Sequence, residues 1–168
     1  MDIENYSNGS VRRQDRLLDE TRAAELLRNG EYAFLSMVEN RDGVAAGYGI
    51  PVSFVWDGCG HIYIHCAPEG HKLACLDASP GVALCVVGRT NVLPGRFTTE
   101  YESVMVRGTV RRSLDADERM KALRMIVEKY SPGHETVGMK YAAGSFHRTE
   151  VLRIDMTSAS GKCKKVAQ

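Results

Sequence analysis

The sequence predicts a mostly β protein folded as an antiparallel barrel with helical caps. Five or six segments have the apolar pattern of strands, and turns typical of hairpins separate most of them. Helical patterns occur only at the ends of this series and between some strands, without the regular alternation of a doubly wound sheet. Consecutive antiparallel strands of this kind avoid exposed sheet edges by closing into a barrel.

Length and charge limit the number of domains and the class of partner. The 168 residues fit one domain, which we expect to span residues 11–168 after a loose polar tail at residues 1–10. A net charge of +1 gives no reason to expect nucleic acid or an anionic membrane as partner. Because no apolar run resembles a signal peptide or a membrane span, we expect a cytoplasmic protein.

The first elements along the chain are a helix and two strands. Asp19 or Thr21 can cap a short amphipathic helix. Residues 32–38 are apolar at nearly every position, so we expect a strand that is covered on both faces. Residues 47–55 alternate as a strand does but contain Pro51, whose missing N–H predicts an edge, a bulge or a ligand contact at that point.

The later strands and helices are predicted from the same strand and helix periodicities of apolar residues. We predict strands at residues 61–66, 81–87, 97–111 and 149–156, a helix from His71 to about residue 77, a loop at 89–96, a helix from Asp115 to Tyr130 and an irregular connection with Gly138 and Gly144. Within the strand at 97–111, Gly108 is expected to mark a bulge or a close approach of another chain segment.

The most informative stretch is His61–Leu76, which contains a strand, a turn and the start of a helix. His71 and Lys72 fall in the first helical turn, whose backbone N–H groups have no partner within the helix. Free N–H groups beside two basic side chains predict a seat for an anion. Two alternatives stay open: Lys72 is a solvated surface lysine, or the carboxylate of Glu69 itself satisfies the helix dipole.

The cysteines and histidines do not predict a metal site. Five cysteines without any CxxC pair favour reduced thiols over a disulfide framework or a zinc knuckle. Cys59, His61, His65 and Cys66 are close in sequence, but His61 and His65 are four residues apart on a strand, roughly 13 Å, and cannot chelate one ion. His65 and Cys66 point to opposite faces of that strand.

In their order and spacing, these motifs resemble the pyridoxamine 5′-phosphate oxidase-like, FMN-binding split-barrel family, and within it the nitroimidazole-resistance branch. The resemblance covers most of the chain. The motifs that carry it are VRRQDR at residues 11–16, the helix end at Asn29-Gly30, GIPVSF at 49–54, IYIHCAPEGHKLACL at 62–76, TTEYESVMVRGTV at 98–110 and SGK at 160–162.

The resemblance implies an antiparallel split β-barrel with helical caps, a homodimer, and FMN in a cleft between the subunits. It implies that the backbone at Pro51 and Val52 approaches the isoalloxazine ring and that Ser103 lies near the flavin. The other residues that the resemblance assigns to cofactor binding are His65, Cys66, Lys72 and His71 near the ribityl chain and phosphate, and Arg13 from the partner chain.

The leading functional hypothesis is an FMN-dependent oxidoreductase that reduces small electron-poor molecules, nitroimidazoles among them. His71 occupies the position where the nitroimidazole-resistance branch has a functionally important histidine, and an imidazole can exchange a proton near neutral pH, so His71 is the candidate catalytic residue. Vitamin B6 oxidation is not implied, because the residues that hold the oxidase's substrate phosphate have no counterpart that can be placed here. The alternatives are a flavin- or haem-binding module without turnover, and a barrel whose histidines and cysteines are structural.

Overall fold

The computed structural model describes residues 3–166, which form one seven-stranded antiparallel sheet with four α-helices. The strands are β1 Ala33–Arg41, β2 Val44–Val52, β3 Val55–Trp56, β4 His61–Cys66, β5 Gly81–Leu93, β6 Thr98–Arg111 and β7 Glu150–Lys164. The helices are α1 Glu20–Asn29, α2 His71–Ala78, α3 Ala116–Tyr130 and α4 Glu135–Ser145. The predicted antiparallel split barrel with helical caps is confirmed.

The sheet closes on itself because its two edge strands follow one another in the chain. The strand order is β2-β1-β5-β6-β7-β4-β3, so β2 and β3 lie at opposite edges. Only Ser53 and Phe54 join them, which forces the edges together, and the Phe54 side chain is fully buried at this closure. Pro51 therefore lies in an edge strand, as its missing N–H predicts.

The main core fills the barrel, and a smaller one lies under α3 and α4. The largest fully buried side chains of the barrel include Leu35, Leu84, Val104 and Ile154. Burial of one such side chain contributes about 1.5–3 kcal/mol, so the barrel interior is the main source of stability. The smaller core consists of Val55, Tyr63, Ala122, Leu123, Ile126, Ala142 and Val151.

Side-chain caps fix the starts of the two longer predicted helices. Asp19 Oδ1 accepts a hydrogen bond from the backbone N–H of Arg22 at 2.9 Å, so Asp19, of the two predicted candidates, caps α1. Asp115 Oδ1 accepts from the backbone N–H of Glu118 at 2.8 Å and caps α3. Within residues 3–166, none of the helices has the length and apolar character needed to cross a bilayer.

Strand β1 is not covered on both faces in this chain, contrary to the prediction. Its burial alternates, and Phe34 and Val38 are 45% and 43% exposed. The same is true of Val87 in β5, which is 46% exposed. The barrel interior can cover only one face of a strand, so the apolar side chains on the other face stay partly exposed.

The predicted loop at residues 89–96 is also wrong in most of its length. Strand β5 continues to Leu93 after an irregularity between Val87 and Thr90, because residues 90–93 pair with the first residues of β6. Proline and glycine then form a short 3₁₀ turn at residues 94–96. Periodicity within the segment does not show this extension, because pairing with the start of β6 across the turn at 94–96 holds the segment as a strand.

Two further predictions about the second half of the chain were incomplete. The expected irregular connection is helix α4, in which Gly138 allows a close helix contact: a Cβ there would lie 2.6 Å from Val127. Strand β7 runs to Lys164 instead of residue 156, because its polar second half pairs with β6. The bulge expected at Gly108 is confirmed by a register shift between Arg107 and Gly108.

Residues 3–10, which fall within the tail predicted at residues 1–10, contact the rest of the chain at several points; residues 1 and 2 lie outside the described part. Ile3 is only 3% exposed. Tyr6 Oη donates to the backbone carbonyl of Leu18 at 2.7 Å, and Tyr6 bridges to Ala159 of β7. This segment packs against the barrel because backbone groups of the sheet are available as its hydrogen-bond partners.

Candidate functional site

Helix α2 begins at His71, as predicted, and its start is open to ligands. Gly70 precedes the helix with φ of +131°, a conformation that essentially only glycine adopts. Its carbonyl accepts from the N–H groups of Leu73 and Ala74, at 3.0 and 3.2 Å. A Cβ on Gly70 would have no atom within 4 Å, so the positive end of the helix faces open space.

His65, Cys66 and Lys72 lie together beside this helix start, and we call them the Lys72 cluster. The Lys72 ammonium donates a hydrogen bond to the thiol of Cys66. Burial raises the pKa of the Cys66 thiol, although the Lys72 charge acts in the opposite direction. Partial burial, and then the Lys72 charge, lower the pKa of His65, which favours a neutral imidazole next to the ammonium.

Two charged residues that the sequence analysis did not single out adjoin the cluster. Glu150 of β7 is the register partner of Cys66, and Arg112 lies close enough to affect the charge of the same thiol. Arg112 Nη1 donates to Asp77 at the end of α2. Among the described residues, Arg112 Nε and Glu150 Oε1 are buried without a hydrogen-bond partner. Such groups are costly unless a ligand or water satisfies them.

The side chain of His71 turns away from the Lys72 cluster and contacts the barrel. Its Nε2 lies 2.8 Å from Oε2 of Glu39. Glu39 is the next inward-facing residue of β1 after Met37. The imidazole packs edge-on against the ring of Tyr48, with 4.7 Å between centroids. Cys75 Sγ lies 3.6 Å from the same nitrogen. His71 therefore has a carboxylate partner that the sequence analysis missed.

Glu39 is a buried carboxylate with two donors. Its side chain is 4% exposed, and its second oxygen accepts from Arg41 Nε at 2.7 Å. The His71 side chain, by contrast, is 56% exposed. A carboxylate accepts hydrogen bonds, so Nε2 of His71 carries the hydrogen and Nδ1 is left for another partner. The sequence signal that could have identified Glu39 as an inward-facing residue is the period-2 pattern of β1, which continues past residue 38.

Ser103 and Arg13 lie at the opposite end of the sheet from the Lys72 cluster. Ser103 of β6 pairs with Lys162 of β7, whereas His65 pairs with Val151 of the same strand. These two points on β7 are eleven residues apart, a contour length of roughly 36 Å at about 3.3 Å per residue. Arg13 pairs with the exposed Asp15, with 2.7 Å between Nε and Oδ1, so a single chain does not bring it to the cluster.

Pro51 and Val52 occupy the end of β2, near the closure of the barrel. Val52 is 9% exposed and its side chain belongs to the core. Pro51 is exposed on the outer face, where its register partner is Phe34. At Val52, only the backbone and not the side chain is therefore available to a ligand.

A cavity of about 680 Å³ opens beside His65 and Cys66. Apolar residues of α3 and α4 line most of it, and Tyr141 and Arg148 supply polar groups. The sequence analysis missed this wall because α4 was predicted to be an irregular connection. All five cysteines are free, and among residues 3–166 no group of three or more His, Cys, Asp or Glu is placed to hold a metal ion.

Comparison with known families gives one extensive match. The family model described as pyridoxamine 5′-phosphate oxidase matches residues 19–163, which include β1 to β6 and all but the last residue of β7. No curated protein sequence matches significantly.

Solved structures provide a second comparison. A candidate 5-nitroimidazole antibiotic resistance protein from Bacteroides thetaiotaomicron is 19% identical, with 88% of this chain and 86% of that chain covered and a TM-score of 0.69. The FAD and heme binding protein from Mycobacterium smegmatis is 20% identical, with 90% and 74% covered and a TM-score of 0.71. The flavocytochrome Anf3 from Azotobacter vinelandii is 20% identical, with 88% and 68% covered and a TM-score of 0.66. These similarities establish a shared fold.

Proposed function

The chain belongs to the pyridoxamine 5′-phosphate oxidase family, and we propose that it binds FMN and reduces small electron-poor molecules, nitroimidazoles among them. The observation that carries this proposal is the Lys72 cluster beside the open start of α2. The fold is shared with an FAD and heme binding protein and with a candidate nitroimidazole resistance protein. Together, a flavoprotein fold and an anion seat favour a phosphorylated flavin.

The residues present fit a phosphate group. A phosphate at the start of α2 would accept hydrogen bonds from free backbone N–H groups and from Lys72, and it would interact favourably with the helix dipole. Gly70 leaves space for it, and the unpaired Nε of Arg112 shows that donor capacity near Cys66 is unused. Each charge-assisted hydrogen bond is worth about 1.5–3 kcal/mol, enough to distinguish FMN from riboflavin.

When bound, the flavin supplies the redox chemistry. The protein's own part is to hold the phosphate with Lys72 and the start of α2 and to shield the ligand from water. We assign proton donation to His71, because Glu39 holds the ring through Nε2 and leaves Nδ1 as the nitrogen that can carry the donated proton. Its exposed ring leaves Nδ1 accessible to a substrate.

The proposal includes a homodimer with the flavin site between subunits. Support comes from the apolar side chains on the outer face of the sheet, where Tyr32, Phe34 and Val87 are each about half exposed. It also comes from the separation of Arg13 and Ser103 from the Lys72 cluster, because a two-fold dimer can place residues from both ends in one cleft. Two-fold dimers are the commonest oligomers.

A second candidate function is a flavin or haem carrier without turnover. Two of the similar structures are those of an FAD and heme binding protein and of a flavocytochrome. His65 lies at the mouth of a largely apolar cavity, and an imidazole is a common axial ligand of haem iron.

Spectroscopy of the purified protein separates these candidates. FMN binding predicts flavin absorbance bands, with FMN as the nucleotide released on denaturation; FAD in the extract or a Soret band would point to the relatives' cofactors. An oxidoreductase predicts that a reduced nicotinamide nucleotide bleaches the flavin bands and that a nitroimidazole restores them. A flavin that stays oxidised, or is reoxidised only by oxygen, would favour the carrier.

Substitution of Lys72 tests the phosphate seat. Lys72→Ala should weaken FMN about tenfold or more, because a charge-assisted bond is lost, with a much smaller effect on riboflavin. Lys121→Ala, on the exposed face of α3, is the matched control and should leave both affinities unchanged. Equal loss for FMN and riboflavin would show that Lys72 does not contact the phosphate.

A further inference from the structure

A second cavity, of about 970 Å³, lies between the end of α1, β3 and α3. It is separate from the Lys72 cluster and shares no lining residue with the cavity beside His65. Its wall combines aromatic rings with two cations and two carboxylates. The residues used below are Arg28, Glu31, Trp56, Glu128, Lys129 and Tyr130.

The ammonium group of Lys129 is half-buried without a carboxylate partner. Its Nζ donates to the backbone carbonyl of Phe54 at 3.0 Å and lies 3.9 Å from the centroid of the Phe54 ring. The ring of Tyr130 is 5.3 Å away. Among residues 3–166, no Asp or Glu oxygen lies within 4.0 Å of this nitrogen.

Among the described residues, no carboxylate pairs directly with this ammonium group in the cavity wall. An ammonium has three donors, and one carbonyl satisfies only one of them. Buried lysines are rare unless they are paired, and burial lowers the pKa of Lys129 to about 8. The neighbouring rings stabilise the cation only partly, so an anion in the cavity would gain a strong interaction.

The rest of the wall limits which anion fits. The Arg28 guanidinium lies over the ring of Trp56, 5.2 Å from its centroid, and presents a second cation. Glu31 and Glu128 also line the cavity, and their carboxylates would repel a multiply charged ligand such as a phosphate. The aromatic rings favour a flat apolar body.

We propose that this cavity binds a small aromatic monocarboxylate, with its carboxylate on Lys129 and its ring against the aromatic wall. This binding site is independent of the proposed flavin site, because it uses different residues on different elements. Aromatic side chains beside a small number of charged groups can fix the orientation of a ligand that has one flat apolar end and one charged end.

The position of Trp56 makes the proposal directly testable. It is the single tryptophan of the chain, so its indole N–H gives one assignable cross-peak in a ¹⁵N–¹H spectrum. Benzoate, titrated into the purified protein with its bound flavin, should shift this peak saturably. Benzyl alcohol, the uncharged analogue, should bind at least about tenfold more weakly than benzoate, because it cannot form an ion pair with the ammonium.

Variants of Lys129 separate charge from shape. Lys129→Met should weaken benzoate about tenfold or more and make it bind like benzyl alcohol. Lys129→Arg keeps the charge and should keep binding, which guards against a fold defect in the methionine variant. Lys121→Met, on the same helix and exposed, should behave as the wild type.

The pH dependence provides a test on the unmodified protein. Benzoate affinity should fall as pH rises through about 8, because only protonated Lys129 attracts the carboxylate. The other charged or titratable groups that line the cavity are Arg28, Glu31, Tyr32, Glu128 and Tyr130. The proposal would be overturned if benzoate did not shift the indole peak or if benzoate and benzyl alcohol bound equally well. Wild-type benzoate affinity in the Lys129→Met variant would overturn it as well.

Discussion

The imidazole of His71 is tied to the buried carboxylate of Glu39, with 2.8 Å between Nε2 and Oε2. This contact joins the first residue of α2 to the far end of β1, so the start of the helix is fixed relative to the barrel. A carboxylate that is 4% exposed would be destabilising without such donors, and Arg41 supplies the other one. The start of α2, where we propose the anion seat, is therefore fixed by a contact outside the proposed seat.

The first prediction concerns Glu39. Glu39→Gln keeps a hydrogen-bond acceptor but removes the charge, so we expect FMN to be retained and substrate reduction to fall about tenfold, the difference between a charged and a neutral hydrogen bond. Turnover with bound flavin measures this effect. The exposed Glu25→Gln is the control, and wild-type turnover in Glu39→Gln would contradict the role of the pair.

The second prediction is that His71→Ala keeps FMN but loses substrate reduction. The side chain contacts Glu39 and Tyr48, and its removal leaves Lys72 and the free N–H groups of α2 in place. Flavin content and stopped-flow reoxidation by a nitroimidazole measure the two properties separately. Joint loss of FMN and activity would assign His71 to binding, and unchanged turnover would exclude a catalytic role.

The third prediction concerns Gly70. A side chain at φ of +131° is strained, so Gly70→Ala should lower the free energy of unfolding by about 1–3 kcal/mol and weaken FMN. The control is Gly144→Ala in α4, where φ is not positive and no atom lies within 4 Å of the added Cβ. That variant should be about 0.5–1 kcal/mol more stable, since alanine favours helix. Urea unfolding of both variants tests the contrast.

The fourth prediction is a pH effect of His65. Burial and the Lys72 charge lower its pKa below 6.5, so between the lowered value and 6.5 the unfolded chain binds a proton that the folded chain does not. The free energy of unfolding should therefore fall as pH falls through this range. His65→Gln should lose less stability than the wild type between about pH 7.5 and about pH 5.5 in urea titrations. Parallel losses would show that His65 titrates normally.

The fifth prediction tests the dimer. Phe34→Asp places a charge on the outer face of β1, where the side chain is 45% exposed, and should give a monomer by light scattering. Phe97→Asp, at a turn where the side chain is 97% exposed, should remain a dimer. A monomeric wild type with flavin bound would rule out the interface site.

Local signals were sufficient to predict the elements whose ends depend on their own residues. Asp19, Asp115 and the start of α2 at His71 were predicted from capping and periodicity, and the structure confirms each. The extension of β5 and the second half of β7 were missed because pairing with β6 stabilises them, and α4 was missed because packing on α3 stabilises it.

The candidate site divides in the same way. His65, Cys66 and Lys72 are close in sequence, and their meeting follows from one strand, one turn and one helix. Glu39 comes from a strand that the sequence does not place beside α2, so no local pattern predicts its contact with His71. Ser103 and Arg13 were assigned by family resemblance, and their relation to the flavin stays a prediction.

The position of β7 in the sheet has a consequence for protein synthesis. Strand β4, which carries His65 and Cys66, finds its long partner ladder in β7, and β7 also completes β6. The ribosome makes β4 well before β7, so a growing chain exposes these residues without their register partners Val151 and Glu150. Binding at the proposed anion seat by a nascent chain would therefore require β7, the strand that is translated last among the seven. A chain cleaved before residue 150 lacks the ladder that holds β4 beside that seat.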